Sequence, residues 1–235
     1  MQKFWQFITS FFLILTSMLA VFEFFRCGQY VWHSVTTGKY QGYMWLLIGM
    51  AVFFSASKTF LQKNLEFIQT LTHEGAHLIV ATLLLRRKVV EFNAKIIERL
   101  KEGENLGEVW SEGGQNIVLS LAPYMLPYLT FMFLLIRLMI KNEYLCIFDF
   151  IIGFSLMHHI LCWKRDIGLH QTDIQRSGIL RSYFYIWTFI LFNLAIILYS
   201  LGGGSNVPVN IMQANIKWFT QAWIDIQQLF SWITK

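Results

Sequence analysis

The chain has 235 residues, of which 55% are hydrophobic, 17% aromatic and only 14% charged. A soluble domain carries nearer ~25% charge, so this composition describes an integral membrane protein, with room for one compact bundle and no sizeable soluble domain. The formal charge of +5 is explained by lysines and arginines flanking apolar segments. There is no basic stripe with interleaved aromatics, which argues against nucleic-acid binding.

About six apolar stretches of spanning length follow one another, near 4–25, 43–60, 65–85, 117–140, 144–163 and 183–201. The first follows Met1-Gln2-Lys3 and has no small-x-small cleavage site after it, so it reads as an uncleaved membrane helix rather than a signal peptide. The second is short and interrupted by Ser55, Ser57 and Lys58, which leaves a half-buried segment as its alternative. Lysines and arginines concentrate after the first, third and fifth stretches, at Arg26, Lys39, Arg86, Arg87, Lys88, Lys164 and Arg165 among others. The positive-inside rule makes that side cytoplasmic. The expectation is an all-α polytopic protein of a bacterial inner membrane. N-terminal helices over 1–64 precede a core over 65–201, and a Gly-rich linker with an amphipathic helix occupies 202–235.

The third stretch carries His73-Glu74-Gly75-Ala76-His77. On a helix, residues at i and i+4 share a face one turn apart, so both imidazoles can reach one zinc ion. Glu74 projects beside them, placed to take a proton from a metal-bound water. Ionisable groups at membrane depth are costly and usually functional, which disfavours reading these three side chains as packing.

Residues 86–115 are the one sizeable polar stretch. Val90, Phe92, Ala94 and Ile96 alternate with Glu91, Asn93 and Lys95, the period of a strand. Glu102-Gly103-Glu104-Asn105 is turn-like and 106–112 is a candidate return strand; Gly113-Gly114 then leads into the fourth stretch. The pair would form a β-hairpin whose edge holds an unwound peptide, or a solvated connector. Asn116, at the mouth of the fourth stretch, is a candidate oxyanion donor and equally a helix cap. Pro123 and Pro127 then strip donors from one face and predict a kink, in the wall of a wet cavity or as a purely structural feature.

A catalytic zinc needs a third protein ligand with water in the fourth position. The candidates are His158, His159, Asp166, His170 and Asp173, with Asp149 inside the fifth stretch. Cys27, Cys146 and Cys162 lack C-x-x-C spacing and read as packing residues. Past the Gly202-Gly203-Gly204 break, Met212, Ile216, Phe219, Trp223, Ile226, Phe230 and Ile233 form a helical stripe suited to a headgroup surface.

A membrane-embedded His-Glu-x-x-His helix, a strand-forming loop after it and a later aspartate resemble the site-2 protease family of intramembrane zinc metalloproteases, across roughly 65–201. The Asn-Pro-x-Pro lead-in and Leu-Asp-Gly core of that family are absent, which marks a divergent branch. The resemblance implies a Zn2+ cofactor held by His73, His77 and Asp173, Glu74 as the base, and a membrane-protein substrate in the bilayer. His158, His159 and His170 stay as alternative ligands. His77 lies ~12 Å from the cytoplasmic end of its helix, so Asp173 has to dip inward or its segment has to begin early. Two other functions fit parts of the pattern: a non-catalytic membrane protein of the same fold that binds partner helices, and a membrane di-iron oxygenase using the His158-His159 pair.

Overall fold

The computed structural model describes residues 2–94, 107–111, 116–168 and 171–202. The expected turn at 102–105, Gly113-Gly114, His170 and the C-terminal amphipathic helix lie outside the described residues. The fold is mostly helical. Helix α1 is Gln2–Thr36, α2 Gln41–Lys58 and α3 Leu65–Ile79, the last continuing into a π-turn over Val80–Leu84. Strands β1 (Val89–Ala94) and β2 (Gly107–Ser111) pair antiparallel, with Phe92 opposite Val109, and lie alongside α3. Next come α4 (Ile117–Ser120), α5 (Ala122–Met125), α6 (Tyr128–Arg137), α7 (Leu145–Asp166), α8 (Thr172–Ser177) and α9 (Ile179–Gly202).

Among the described residues, 3 helical segments are long and apolar enough to cross a membrane: Ile8–Thr36, Asn142–Asp166 and Ile179–Gly202. Helix α1 runs on past residue 25 because nothing breaks it before Gly38, whose φ of 83° ends the run. Its Phe11, Phe12, Phe22, Phe25 and Trp32 are exposed. So many large apolar side chains on one outer surface suit lipid rather than water.

The fourth apolar stretch is broken, not merely kinked. Pro127 has no N–H and forces the residue before it out of the helical region, and Leu126 accordingly sits at φ −119°, ψ 102°. The break strands carbonyls that would be costly in an apolar surrounding. Asn193 of α9 donates Nδ2–H to the Met125 carbonyl at 2.6 Å. Pro123 likewise cannot donate to Leu119, four residues earlier, and that carbonyl is met from α3.

Helices α2 and α7 cross at close range because a glycine stands on each. A Cβ on Gly49 would lie 2.0 Å from the Phe150 carbonyl oxygen, and one on Gly153 would lie 2.0 Å from that of Leu46. Such small-residue contacts let backbones approach where lipid supplies no hydrophobic drive between helices. Ser17 and Thr188 hydroxyls, 2.6 Å apart, add a polar tie between α1 and α9. Asp149 is committed to the fold, contrary to its place among the candidate ligands. It accepts from Arg137 Nε at 2.5 Å, while Arg137 Nη1 donates to the Ser200 carbonyl, joining α6, α7 and α9. Burial demands this pairing, since either charge alone in that interior would be strongly destabilising.

Gly153→Ala should therefore force α2 and α7 apart and cost about 1–3 kcal/mol, the usual range for overpacking. Gly28→Ala is the matched control, because nothing lies within 4 Å of a Cβ there. Thermal unfolding in detergent should show a lowered midpoint for the first variant alone.

Candidate metal centre

Helix α3 presents His73 and His77 on one face, and their rings stack edge to face with centroids 5.2 Å apart. Glu74 sits between them in sequence and is buried. One ligating atom from each of His73, His77 and Asp173 lies within 4.8 Å of the other two. His77 Nε2 and Asp173 Oδ2 are 3.8 Å apart. That is close to the roughly 3.4 Å separating two atoms that share a tetrahedral zinc at ordinary bond lengths.

Both imidazoles are set for ligation through their far nitrogen. His77 Nδ1 is 2.8 Å from the Leu119 carbonyl oxygen. A carbonyl only accepts, so Nδ1 carries the proton and Nε2 keeps its lone pair. His73 Nδ1 likewise faces Asp166 Oδ2 at 3.0 Å. Asp166 is held in turn by a two-pronged contact with Arg165, whose Nη2 donates to Oδ2 at 2.9 Å and whose Nε donates to Oδ1. Arg165 Nη1 reaches back to the Glu66 carbonyl at 3.2 Å, pinning the end of α7 to the start of α3. Outer partners of this kind fix the tautomer and ring orientation of metal-bound histidines.

Asp173 comes inward because its segment begins early. It lies in the first turn of the short helix α8, which ends at Gly178, at φ 88°, before α9 begins. Ile174 anchors α8 among Leu121, Tyr124, Trp163 and Ile186, and Ser182 Oγ donates to the Ile174 carbonyl at 3.2 Å. Burial raises the Asp173 carboxyl above the usual carboxylate range, an effect that His73 and Arg176 partly offset. A cation between the three side chains would remove that penalty. Two neutral imidazoles and one carboxylate are also a donor set that zinc accepts. The residues fit a metal.

Two of the alternative ligands, His158 and His159, stand outside this group. His158 Nε2 lies 2.8 Å from Thr72 Oγ1, and the ring of His159 packs edge-on against Trp163, with centroids 4.5 Å apart. Neither belongs to the three-residue group. Asn116 caps α4: its Oδ1 accepts from the Val118 N–H at 2.8 Å. Cys27 and Cys162 are free and buried, and Cys146 is free and half-buried.

The sequence offered Asp166 only as a candidate third ligand and gave the Leu119 carbonyl no role, whereas both stand as Nδ1 partners of the two histidines. A signal for the second is present, because a proline four residues on always frees a carbonyl. For Asp166 nothing local distinguishes an outer partner from a ligand. Comparison with known family models, curated proteins and solved structures finds no match to this chain.

Loss of an outer partner typically lowers metal affinity 10–100-fold. Asp166→Asn should weaken zinc binding by about that factor, whereas His158→Ala should leave it within about twofold. Competition with a chromophoric chelator would measure both, and equal affinities in the two variants would remove Asp166 from the site.

Proposed function

We propose that this chain is an intramembrane zinc metalloprotease that hydrolyses peptide bonds of membrane-embedded protein substrates. The observation that carries the reading is the meeting of His73, His77 and Asp173 beside a buried Glu74. Two ligands and a base come from one helical turn, and the third ligand comes from a helix far along the chain. Three helices long and apolar enough to cross a membrane support placing this group in a membrane protein. In the full topology α2, α3 and the broken α4–α6 supply further crossings, about six in all, in a bacterial inner membrane.

Zinc held there would act as a Lewis acid and make its water acidic enough to ionise near neutral pH. Glu74 takes the proton from the attacking water and returns it to the leaving amine, which is the work of a general base turned acid. Asp166 and the Leu119 carbonyl accept from Nδ1 of His73 and His77, which leaves Nε2 of each neutral ring as the nitrogen for a metal. The β1–β2 pair, lying along α3, offers an edge on which an unwound substrate segment can extend. Unwinding is required, since a helical peptide bond is shielded and hydrogen-bonded on every side.

A single ion is favoured over a di-iron pair because His158 Nε2 meets Thr72 and neither His158 nor His159 joins the three-residue group. A partner-binding protein without catalysis has no use for a carboxylate base between two ligands.

Glu74→Gln is nearly isosteric and touches no ligand. It should keep stoichiometric zinc and the folded bundle while losing cleavage by at least ~100-fold, the low end of a general-base contribution. Metal content and turnover are to be measured on the same sample, with membrane proteins trapped by the variant as substrates. Wild-type turnover in a zinc-loaded Glu74→Gln sample would sink the proposal.

A further inference from the structure

Tyr124 is only 1% exposed, yet its hydroxyl has no hydrogen-bond partner. Buried polar groups are almost always paired, and leaving a hydroxyl unpaired is unfavourable, so an orphan invites a functional explanation. The ring is held firmly. It packs against Leu121, Met125, Trp163, Ile174 and Ile186, in the short helix α5 between the two breaks of the fourth apolar stretch. Its edge meets the ring of His73, with centroids 5.6 Å apart and planes at 86°. Tyr124 thus borders His73, one of the three residues that build the candidate metal centre. A fixed phenol with its donor unspent, against the first histidine of the His-Glu-x-x-His turn, is arranged to meet something that arrives.

We propose that Tyr124 is a further catalytic residue, whose hydroxyl donates a hydrogen bond to the scissile carbonyl oxygen of the substrate as that oxygen gains negative charge. No proton is transferred and no bond to Tyr124 forms or breaks. The phenol stays neutral, and its O–H dipole stabilises the developing oxyanion. The donor is preorganised because no partner has to be given up before substrate enters, and preorganised donors in water-poor sites are among the strongest contributors to catalysis. The inference rests on the proteolytic reading above and adds to it the group that recognises the tetrahedral state. Asn116 is the weaker candidate for that role, because its Oδ1 is spent on capping α4.

Tyr124→Phe removes one oxygen and keeps the ring. The full chain, purified in detergent and loaded with zinc, is tested with an apolar phosphinic tripeptide, whose tetrahedral anionic phosphorus mimics the attacked carbonyl. Expected are zinc affinity within twofold of wild type, a melting temperature equal to or above it, and phosphinic-peptide affinity at least tenfold weaker. With a trapped substrate, kcat should fall about 100-fold or more with KM little changed, as for loss of an oxyanion donor. An unchanged phosphinic affinity would overturn the assignment while leaving the protease reading standing. Weakened zinc binding would overturn it in favour of a positioning role toward Asp173, and a lowered melting temperature would do so in favour of a structural bond. A wild-type protein that binds zinc but neither the phosphinic peptide nor any substrate would overturn both readings together.

Discussion

In an apolar interior a backbone carbonyl must find a donor, and Pro123 removes the donor that Leu119 would have had. Much of the centre is arranged around that gap. His77 fills it through Nδ1, which fixes the tautomer of the imidazole and aims Nε2 toward Asp173. The proline that breaks the fourth apolar stretch therefore also orients His77 on the third. A helix without Pro123 would meet its own carbonyl and leave His77 without that partner. The second break has the same logic on its other side, where Asn193 satisfies Met125 and so ties α9 to the wall that carries Tyr124.

The rest of the bundle holds these pieces against one another without much hydrophobic drive, since lipid is as apolar as the side chains it would replace. Glycines at positions 49 and 153 bring α2 against α7 at backbone distance. Polar contacts then fix register: Ser17 with Thr188, Arg137 with Asp149, and Arg165 with both Asp166 and the Glu66 carbonyl. The last of these serves twice. It locks the end of α7 to α3 and holds the carboxylate that orients His73. Stability and site geometry are thus coupled through one guanidinium.

Burial divides the polar groups of this interior into two kinds. Arg137, Asp149 and Thr72 have found partners and work as structure. Asp173, whose carboxyl is desolvated, and Tyr124, whose hydroxyl is unpaired, carry an unmet demand instead. Unmet demand concentrated beside a His-Glu-x-x-His turn is the pattern expected where a metal and a substrate complete the structure.

The membrane class of the chain was legible in the residues alone, because composition and apolar run length depend on no neighbour. The His73–His77 face was legible too, since i, i+4 spacing follows from helical geometry. Asp173 was one candidate among several and could be singled out only through a family resemblance, and its reach could not be judged. Its position depends on a separate short helix, on the turn at Gly178 and on Ile174 finding a pocket, none of which periodicity reports. The proline pair announced a disturbance, but a kink and a full break differ only in whether α9 supplies a donor, as Asn193 does. His158 and His159 stood as alternatives for the third ligand, and only packing sets His158 against Thr72 and His159 against Trp163. Local spacing determined which residues could act as a group; which of them meet was decided by contacts between helices distant in the chain, because a ligand set, unlike a helix, has no local period.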